Sequence, residues 1–195
     1  MSTLVSVRDN VLADFDDLSK AERQELMALG LLSTAGSVRP FRGVPHEPGY
    51  SSVERQAVCA PSVLNEACEY GSAFSRGLRL DLGSYSLIFI SGTASVDEVG
   101  NTVHKGDLRA QCWRTYRNIT ELLTAQGATW QDVVKCTCYL RDIERDYEEF
   151  NRVRTAFFDY LQLNPLPASV GIQARLCRED LLVEIEAIAI LKKEK

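Results

Sequence analysis

The last apolar stretch of the chain, residues 181–191, constrains the fold more than any other feature of the sequence. Alternate residues from Leu181 to Leu191 are all apolar, which indicates a β-strand with one face against a core. The other face is mostly apolar too, but it carries Glu184 and Glu186. A partly buried carboxylate needs a polar partner, or its pKa rises. Two interpretations follow: general acid or base chemistry near neutral pH, or a salt bridge at an oligomer interface or on a solvated sheet face.

Strands and helices alternate along the second half of the chain. Period-two patterns predict strands at 77–82, 85–90, 102–104 and 133–141, and two closing strands after Pro167. Apolar stripes at helical spacing predict helices from about Asp107 to Gly127 and over 144–161. The simplest packing is an α+β fold in which a mixed β-sheet carries both helices on one face.

The face of the sheet away from the helices also needs cover. It carries either Tyr85, Leu87 and Phe89 or Ser86, Ile88 and Ile90, depending on which way the strand is turned. Either set is too apolar for open solvent, so we expect a second subunit to cover it and sites to lie at subunit interfaces.

Residues 1–70 are interpreted as an N-terminal extension. Ser19 and Glu22 form a capping-box pattern, which predicts a short helix near 19–29. The Gly/Pro-rich segment 33–52 is interpreted as a linker, and residues 53–75 fit no single pattern.

Charge and composition exclude several classes of protein. The 195-residue chain has a net charge of −5, which disfavours non-specific binding to nucleic acid. No apolar run approaches the roughly 18 residues of a membrane span. The N-terminus resembles no signal peptide, so we expect a cytoplasmic protein with reduced cysteines. The cysteines and the two histidines lack zinc-site spacing, so we expect no metal.

Residues 71–191 resemble the reactive-intermediate deaminase (Rid, YjgF-like) family. The motifs that carry the resemblance are FISGTAS at Phe89–Ser95, NITELLTAQG at Asn118–Gly127 and VEIEAIA at Val183–Ala189. The resemblance implies a chorismate-mutase-like fold over 71–195 and a homotrimer with clefts between subunits. It also implies hydrolysis of enamines and imines to 2-keto acids and ammonia without a cofactor.

The family pattern assigns roles to individual residues. By resemblance, Glu184 is the catalytic carboxylate, and Phe74, Ser91 and Asn151 bind the substrate. Active deaminases carry an arginine directly after Pro-Ala to bind the substrate carboxylate, and here that position is Ser169.

The missing arginine leaves two explanations open for this chain. Either the substrate lacks a carboxylate at that point, or Arg76 or Arg79 holds it. Arg175 shares the strand of Ser169 but lies roughly 20 Å further along it, which is too far to substitute.

A narrower similarity links the chain to the C-terminal part of chorismatases, through YGSAFSRG, FISGTASVD and CREDLLVEIE. Three hypotheses therefore stand. The first is a Rid-type hydrolase of an imine, enamine or related small molecule. The second is chorismatase-like hydrolysis of an enolpyruvyl ether, with Glu184 as the acid. The third is a non-catalytic trimer that binds a metabolite or a partner protein.

Overall fold

A computed structural model of the chain describes residues 18–35, 37, 48–49, 52–70 and 72–193. The chain forms two compact units, Met1–Ser52 and Val53–Lys195. In the first unit, helix α1 spans Lys20–Ala28. The expected capping box is present, because Ser19 accepts from the Glu22 backbone N–H and the Glu22 carboxylate accepts from the Ser19 N–H. The expected linker 33–52 lies largely outside the described residues.

The second unit is built on one mixed sheet of six strands within the described residues. Its strands, in chain order, are β1 (Arg55–Ala57), β2 (Gly77–Leu82), β3 (Tyr85–Ala94), β4 (Val133–Leu140), β5 (Ala168–Gln173) and β6 (Val183–Lys192). They lie in the order β1-β2-β3-β6-β4-β5. Neighbouring strands are antiparallel except β4 and β5, which are parallel. Short 3₁₀ helices occupy Ala67–Tyr70 and Trp130–Asp132.

Two amphipathic helices, α2 (Leu108–Thr124) and α3 (Ile143–Tyr160), pack on one face of this sheet. Each begins at an aspartate, Asp107 or Asp142, whose side chain accepts a hydrogen bond from a first-turn backbone N–H. The predicted α+β architecture with two helices on one face is thereby confirmed. No helix among the described residues combines the length and apolar character that crossing a bilayer requires.

The two faces of β6 have the different environments that its sequence predicts. Val183, Ile185, Ala187 and Ala189 are buried under the helices. On β3, Ser86, Ile88 and Ile90 share that buried side, whereas Tyr85 and Phe89 are exposed on the other. We call this second side, which also carries Leu87, Ile172, Glu184 and Ile190, the open face.

The structure differs from the sequence expectations in the two neighbouring strands β4 and β5. The alternation over 133–141 puts Val134 on the same strand face as Cys136. A register shift between Val133 and Lys135 instead turns Val133 inward and leaves Val134 exposed. The strand that follows Pro167 ends at Gln173, and its Val170 and Ile172 lie exposed because they are on the open face of the sheet.

The segment 53–70 belongs to the second unit. Strand β1 pairs with β2, and Val58 and Leu64 are fully buried in the same core as the helices. The compact unit therefore begins at Val53, whereas the resemblance covers the chain only from residue 71. The expected strand at 102–104 is a single bridge between Val96 and Thr102.

Candidate active site

A cleft of about 280 Å³ opens where β3 ends and β6 begins. Three segments of the chain line it: the one before β2, the end of β3, and the loop that enters β6. The lining residues are Ser72, Phe74, Arg76, Gly92, Ala94, Val96, Cys177, Arg178, Leu181 and Glu184. Three of the residues expected in the site, Glu184, Phe74 and Arg76, therefore share one cleft.

Glu184 reaches this cleft because of a bulge in β3. Between Ile90 and Thr93 the register with β6 shifts, so that Ser91 and Gly92 together face a single residue of β6. The Glu184 side chain crosses the bare Cα of Gly92, and a Cβ there would collide with Glu184 Oε1. The bulge and its glycine thus provide the space that the carboxyl group occupies.

The electrostatic setting of Glu184 favours a protonated carboxyl group. Burial raises its pKa, and the negative charge of Glu186 raises it further. The hydrogen bonds and ion pairs of the described residues include none made by the Glu184 carboxyl group. A partly buried carboxyl group with a raised pKa, in an open cleft, keeps its proton to a higher pH than an ordinary glutamate and can exchange it with a bound molecule.

Phe74 and Arg76 form one wall of the cleft. Arg76 is only 7% exposed and donates from Nε to the Asn65 carbonyl oxygen (2.8 Å) and from Nη2 to Asn65 Oδ1 (3.1 Å). Its guanidinium carbon lies 5.7 Å from the centroid of the Phe74 ring, which is itself half-exposed. Arg76 therefore braces the wall and brings a positive charge to the cleft.

Ser91 supports this wall from below. Its hydroxyl donates to the Ser75 carbonyl oxygen (2.7 Å), and its backbone N–H donates to the carbonyl oxygen of Arg76 (3.1 Å). Ser91 therefore fixes the segment that holds Phe74 and Arg76.

Arg79, the other arginine considered for the substrate carboxylate, lies on the helix side of β2. It donates to Asp81, Ser86 and the Gln126 carbonyl oxygen, and it does not line the cleft.

Sequence reasoning did not single out Arg178, which also lines the cleft. Arg178 donates to the Gly100 carbonyl oxygen. Together with Lys105 and Asp180 it also lines a neighbouring surface depression. Its loop is held by Arg141, whose guanidinium donates to the carbonyl oxygens of Leu181 (2.5 Å) and Arg178. The only sequence signal was the CRED segment directly before the last strand.

Asn151 and Ser169 lie near each other, because both bind Arg154, and neither lines the Glu184 cleft. Arg154 on α3 joins them, donating from Nη2 to Asn151 Oδ1 (2.5 Å) and from Nη1 to Ser169 Oγ (3.1 Å). The Oγ of Ser169 also lies 3.9 Å from Cys138 Sγ, which is buried beneath the helices.

Strand register separates these two groups within one chain. Ser169 is the partner of Cys136, which is buried on the helix side, whereas Glu184 is the partner of Tyr139, three residues further along β4. Side chains an odd number of residues apart on a strand point to opposite faces. Ideal strand spacing also puts the Cα atoms of Ser169 and Glu184 roughly 14 Å apart. The residues expected in one site therefore form two groups on opposite faces of the sheet.

No group of three or more histidine, cysteine, aspartate or glutamate side chains among the described residues has the geometry to hold a metal ion.

A sheet with two helices on one face, and a cleft around an unpaired carboxyl group, define a small α+β protein of the YjgF-like class. Comparison with known families agrees, because the family model described as Endoribonuclease L-PSP matches residues 70–191. The chain belongs to this family, which is the Rid/YjgF-like family that the sequence motifs indicated.

Curated relatives and solved structures agree with the assignment. The chain is 35% identical over 104 residues to a RutC family protein of Pyrococcus abyssi, covering 53% of this chain and 78% of the relative. It is 31% identical over 104 residues to the 3-aminoacrylate deaminase RutC of Acinetobacter baylyi, covering 53% and 79%. The crystal structure of the YjgF gene product of E. coli is 25% identical with a TM-score of 0.59, covering 70% of this chain and 99% of that one.

Proposed function

We propose that this chain is a small-molecule hydrolase that converts a reactive imine or enamine into a carbonyl compound and ammonia. The observation that carries the proposal is Glu184, an unpaired and partly buried carboxyl group in a cleft of metabolite size. The name of its relative, 3-aminoacrylate deaminase RutC, supports the same class of reaction.

The chemistry needs one group that can both give and accept a proton. An enamine first gains a proton at carbon and loses one from nitrogen to become an imine. Water then adds to the C=N carbon, and the nitrogen takes up a proton, giving a carbinolamine. Loss of ammonia from the carbinolamine leaves the C=O product, so that one water is consumed for each ammonia released. Glu184, with its raised pKa, is suited to donate the proton and then to accept one from the attacking water.

The remaining cleft residues are suited to bind the substrate. Phe74 offers a half-exposed ring as an apolar surface, and the lining residues Arg76 and Arg178 supply positive charge. Ser91 contributes indirectly, because its hydroxyl holds the Ser75 carbonyl oxygen beside them. In this proposal no cofactor or metal takes part, and the cytoplasmic location stays a prediction.

The proposal includes a homotrimer. Its support within the described residues is the open face, where large apolar side chains are exposed on three strands of the sheet, β3, β6 and β5: Tyr85, Phe89, Ile190 and Ile172. A monomer in water rarely leaves such a surface uncovered. Sedimentation equilibrium should give a mass about three times the 21.8 kDa of the chain.

The experiment that tests the function is a coupled assay for keto-acid and ammonia release. Imines and enamines are generated in situ from several amino acids and from amines without a carboxylate, with wild-type protein and the Glu184→Gln variant. Turnover that requires Glu184 supports the proposal. Absence of turnover on every imine overturns it, and a parallel assay for pyruvate release from chorismate then tests the enol-ether alternative.

A further inference from the structure

Arg154 is a partly buried arginine without an acidic partner among the described residues. Its guanidinium carbon lies 5.3 Å from the centroid of the Phe150 ring, and its two recorded hydrogen bonds go to the neutral oxygens of Asn151 and Ser169. By contrast, Arg152 on the same helix forms ion pairs with Glu148 and Glu149. A guanidinium carries five N–H donors, and the bonds to Asn151 and Ser169 use only two of them. The remaining donors, and a charge that no carboxylate neutralises among the described residues, are available to a ligand.

The surroundings of Arg154 fit a small carboxylate. A recess of about 160 Å³ lies beside it, lined by Thr155, Phe158, Asp159, Leu166, Pro167 and Ser169. The Ser169 hydroxyl adds a second donor next to the guanidinium, and Leu166 and Pro167 provide apolar contact. Asp159 is the one acid on this lining, and it forms no ion pair with Arg154 in the described part of the chain. The planar guanidinium favours a carboxylate that accepts two parallel hydrogen bonds.

Arg76 and Arg178 are weaker candidates for the same task. The Nε and Nη2 donors of Arg76 are directed at Asn65, and Arg178 is directed at the Gly100 carbonyl oxygen. Both arginines therefore serve the walls of the Glu184 cleft, whereas Arg154 is held only by neutral side chains.

A small substrate cannot reach Glu184 and Arg154 of the same chain, because the two lie on opposite faces of the sheet. The exposed apolar surface of the open face, however, extends to edge strand β5 through Val170 and Ile172. Val170 directly follows Ser169. A second copy that covers the open face would therefore meet this edge close to the Arg154 recess.

We propose that Arg154 binds the carboxylate of the substrate, and that it serves the Glu184 cleft of a second copy of the chain. The inference rests on the proposed function for the identity of the substrate. In this proposal Arg154 on α3 takes over the role of the arginine that is missing after Pro167-Ala168, and Ser169 orients its guanidinium.

The first arm of the test measures binding without turnover. Titration calorimetry with pyruvate, a keto acid of the product class, is carried out on Glu184→Gln, on Arg154→Gln and on Arg154→Lys. Arg152→Gln is the matched control. We expect Arg154→Gln to weaken binding on the order of 10- to 100-fold relative to the wild type, Arg154→Lys to weaken it less, and Arg152→Gln to bind nearly as the wild type does. Glu184→Gln shows how much the other carboxyl group at the proposed site affects the binding of the keto acid. Unchanged binding by both Arg154 variants overturns the proposal.

The second arm asks whether two copies share a site. Glu184→Gln and Arg154→Gln chains are unfolded together at equal amounts and refolded as mixed oligomers. If each site takes Glu184 from one chain and Arg154 from another, about a quarter of the sites contain both residues and activity returns to that extent. If activity does not return while the wild type is active, sharing is excluded. If the wild type itself is inactive, the proposed hydrolysis fails, and the calorimetry alone decides the role of Arg154.

Discussion

The Glu184 carboxyl group lies across the bare Cα of Gly92, at the bulge that interrupts the pairing of β3 with β6. A glycine is required there because a Cβ would occupy the position of Glu184 Oε1. This contact connects the strand irregularity directly to the candidate chemistry.

Gly92→Ala should therefore damage activity much more than stability. The atom that the new methyl group meets is the end of a flexible side chain, so Glu184 rotates away and the strand itself is little disturbed. We expect activity to fall about 100-fold, as for a displacement of a catalytic group by 1 Å. The free energy of unfolding should change by less than about 1 kcal/mol. Kinetic assays and urea unfolding of the same preparation check both values, and full activity in the variant would contradict this account of the bulge.

The raised pKa of Glu184 predicts a stability effect that depends on pH. The pKa of Glu184 is higher in the folded than in the unfolded protein, so the folded protein binds the proton more tightly. As the pH rises from the unfolded-state pKa to the folded-state pKa, the free energy of unfolding therefore decreases. Glu184→Gln should therefore unfold at a higher temperature than the wild type at pH 7 to 8. The difference should vanish below about pH 4, where both states are protonated. A stabilisation that is equal at every pH would show that titration is not its cause.

Cys177 offers a chemical probe of the cleft. It is exposed on the cleft wall, whereas burial raises the pKa of the Cys112 and Cys136 thiols to about 12. A bulky maleimide at pH 7.5 should react with Cys177 and leave Cys112 and Cys136 unmodified. Modification should abolish activity in the wild type but not in Cys177→Ser. Loss of activity in both proteins would show that another site is responsible.

Arg141 holds the loop that carries Arg178. Its guanidinium donates to the carbonyl oxygens of Leu181 and Arg178, which a lysine cannot reproduce with one ammonium group. Arg141→Lys should accelerate hydrogen exchange over residues 176–182 and lower activity, while the helices remain protected. Arg152→Lys is the matched control, since Arg152 pairs with Glu148 and Glu149 on the exposed side of α3. Equal exchange in the two variants would contradict the positioning role.

Structural features that follow from a periodic pattern of apolar residues could be predicted from the sequence, and features that interrupt the pattern could not. The alternation on β6 was sufficient to predict which of its faces is buried, and the stripe of Cys112, Tyr116, Ile119 and Leu123 on α2 is buried as predicted. The bulge at Val133 was not predictable, because one extra residue shifts the alternation without any change in composition.

The candidate site depends on contacts that are distant in sequence. The motif match gave Glu184 and Phe74, which share a cleft, but it grouped them with Asn151, which lies with Ser169 on the opposite face. Arg76, considered as a replacement for the missing arginine, also lines the cleft. Arg154 carried no local pattern and Arg178 only the CRED segment before the last strand, and the environment of both arginines arises only when helix, strand and loop come together. A lone arginine in an exposed helix pattern is usually solvated, so the sequence could not single out Arg154.

Glu184 and Glu186 together provide the most direct test of the central claim. Both are on β6, two residues apart, and both side chains lie on the open face, but only Glu184 lines the cleft. Ammonia release from an imine generated in situ is followed with wild type, Glu184→Gln and Glu186→Gln at equal protein concentration. The account predicts that Glu184→Gln loses at least about 100-fold in rate, while Glu186→Gln stays within about tenfold of wild type. A Glu184→Gln variant that turns over as fast as the wild type would contradict it.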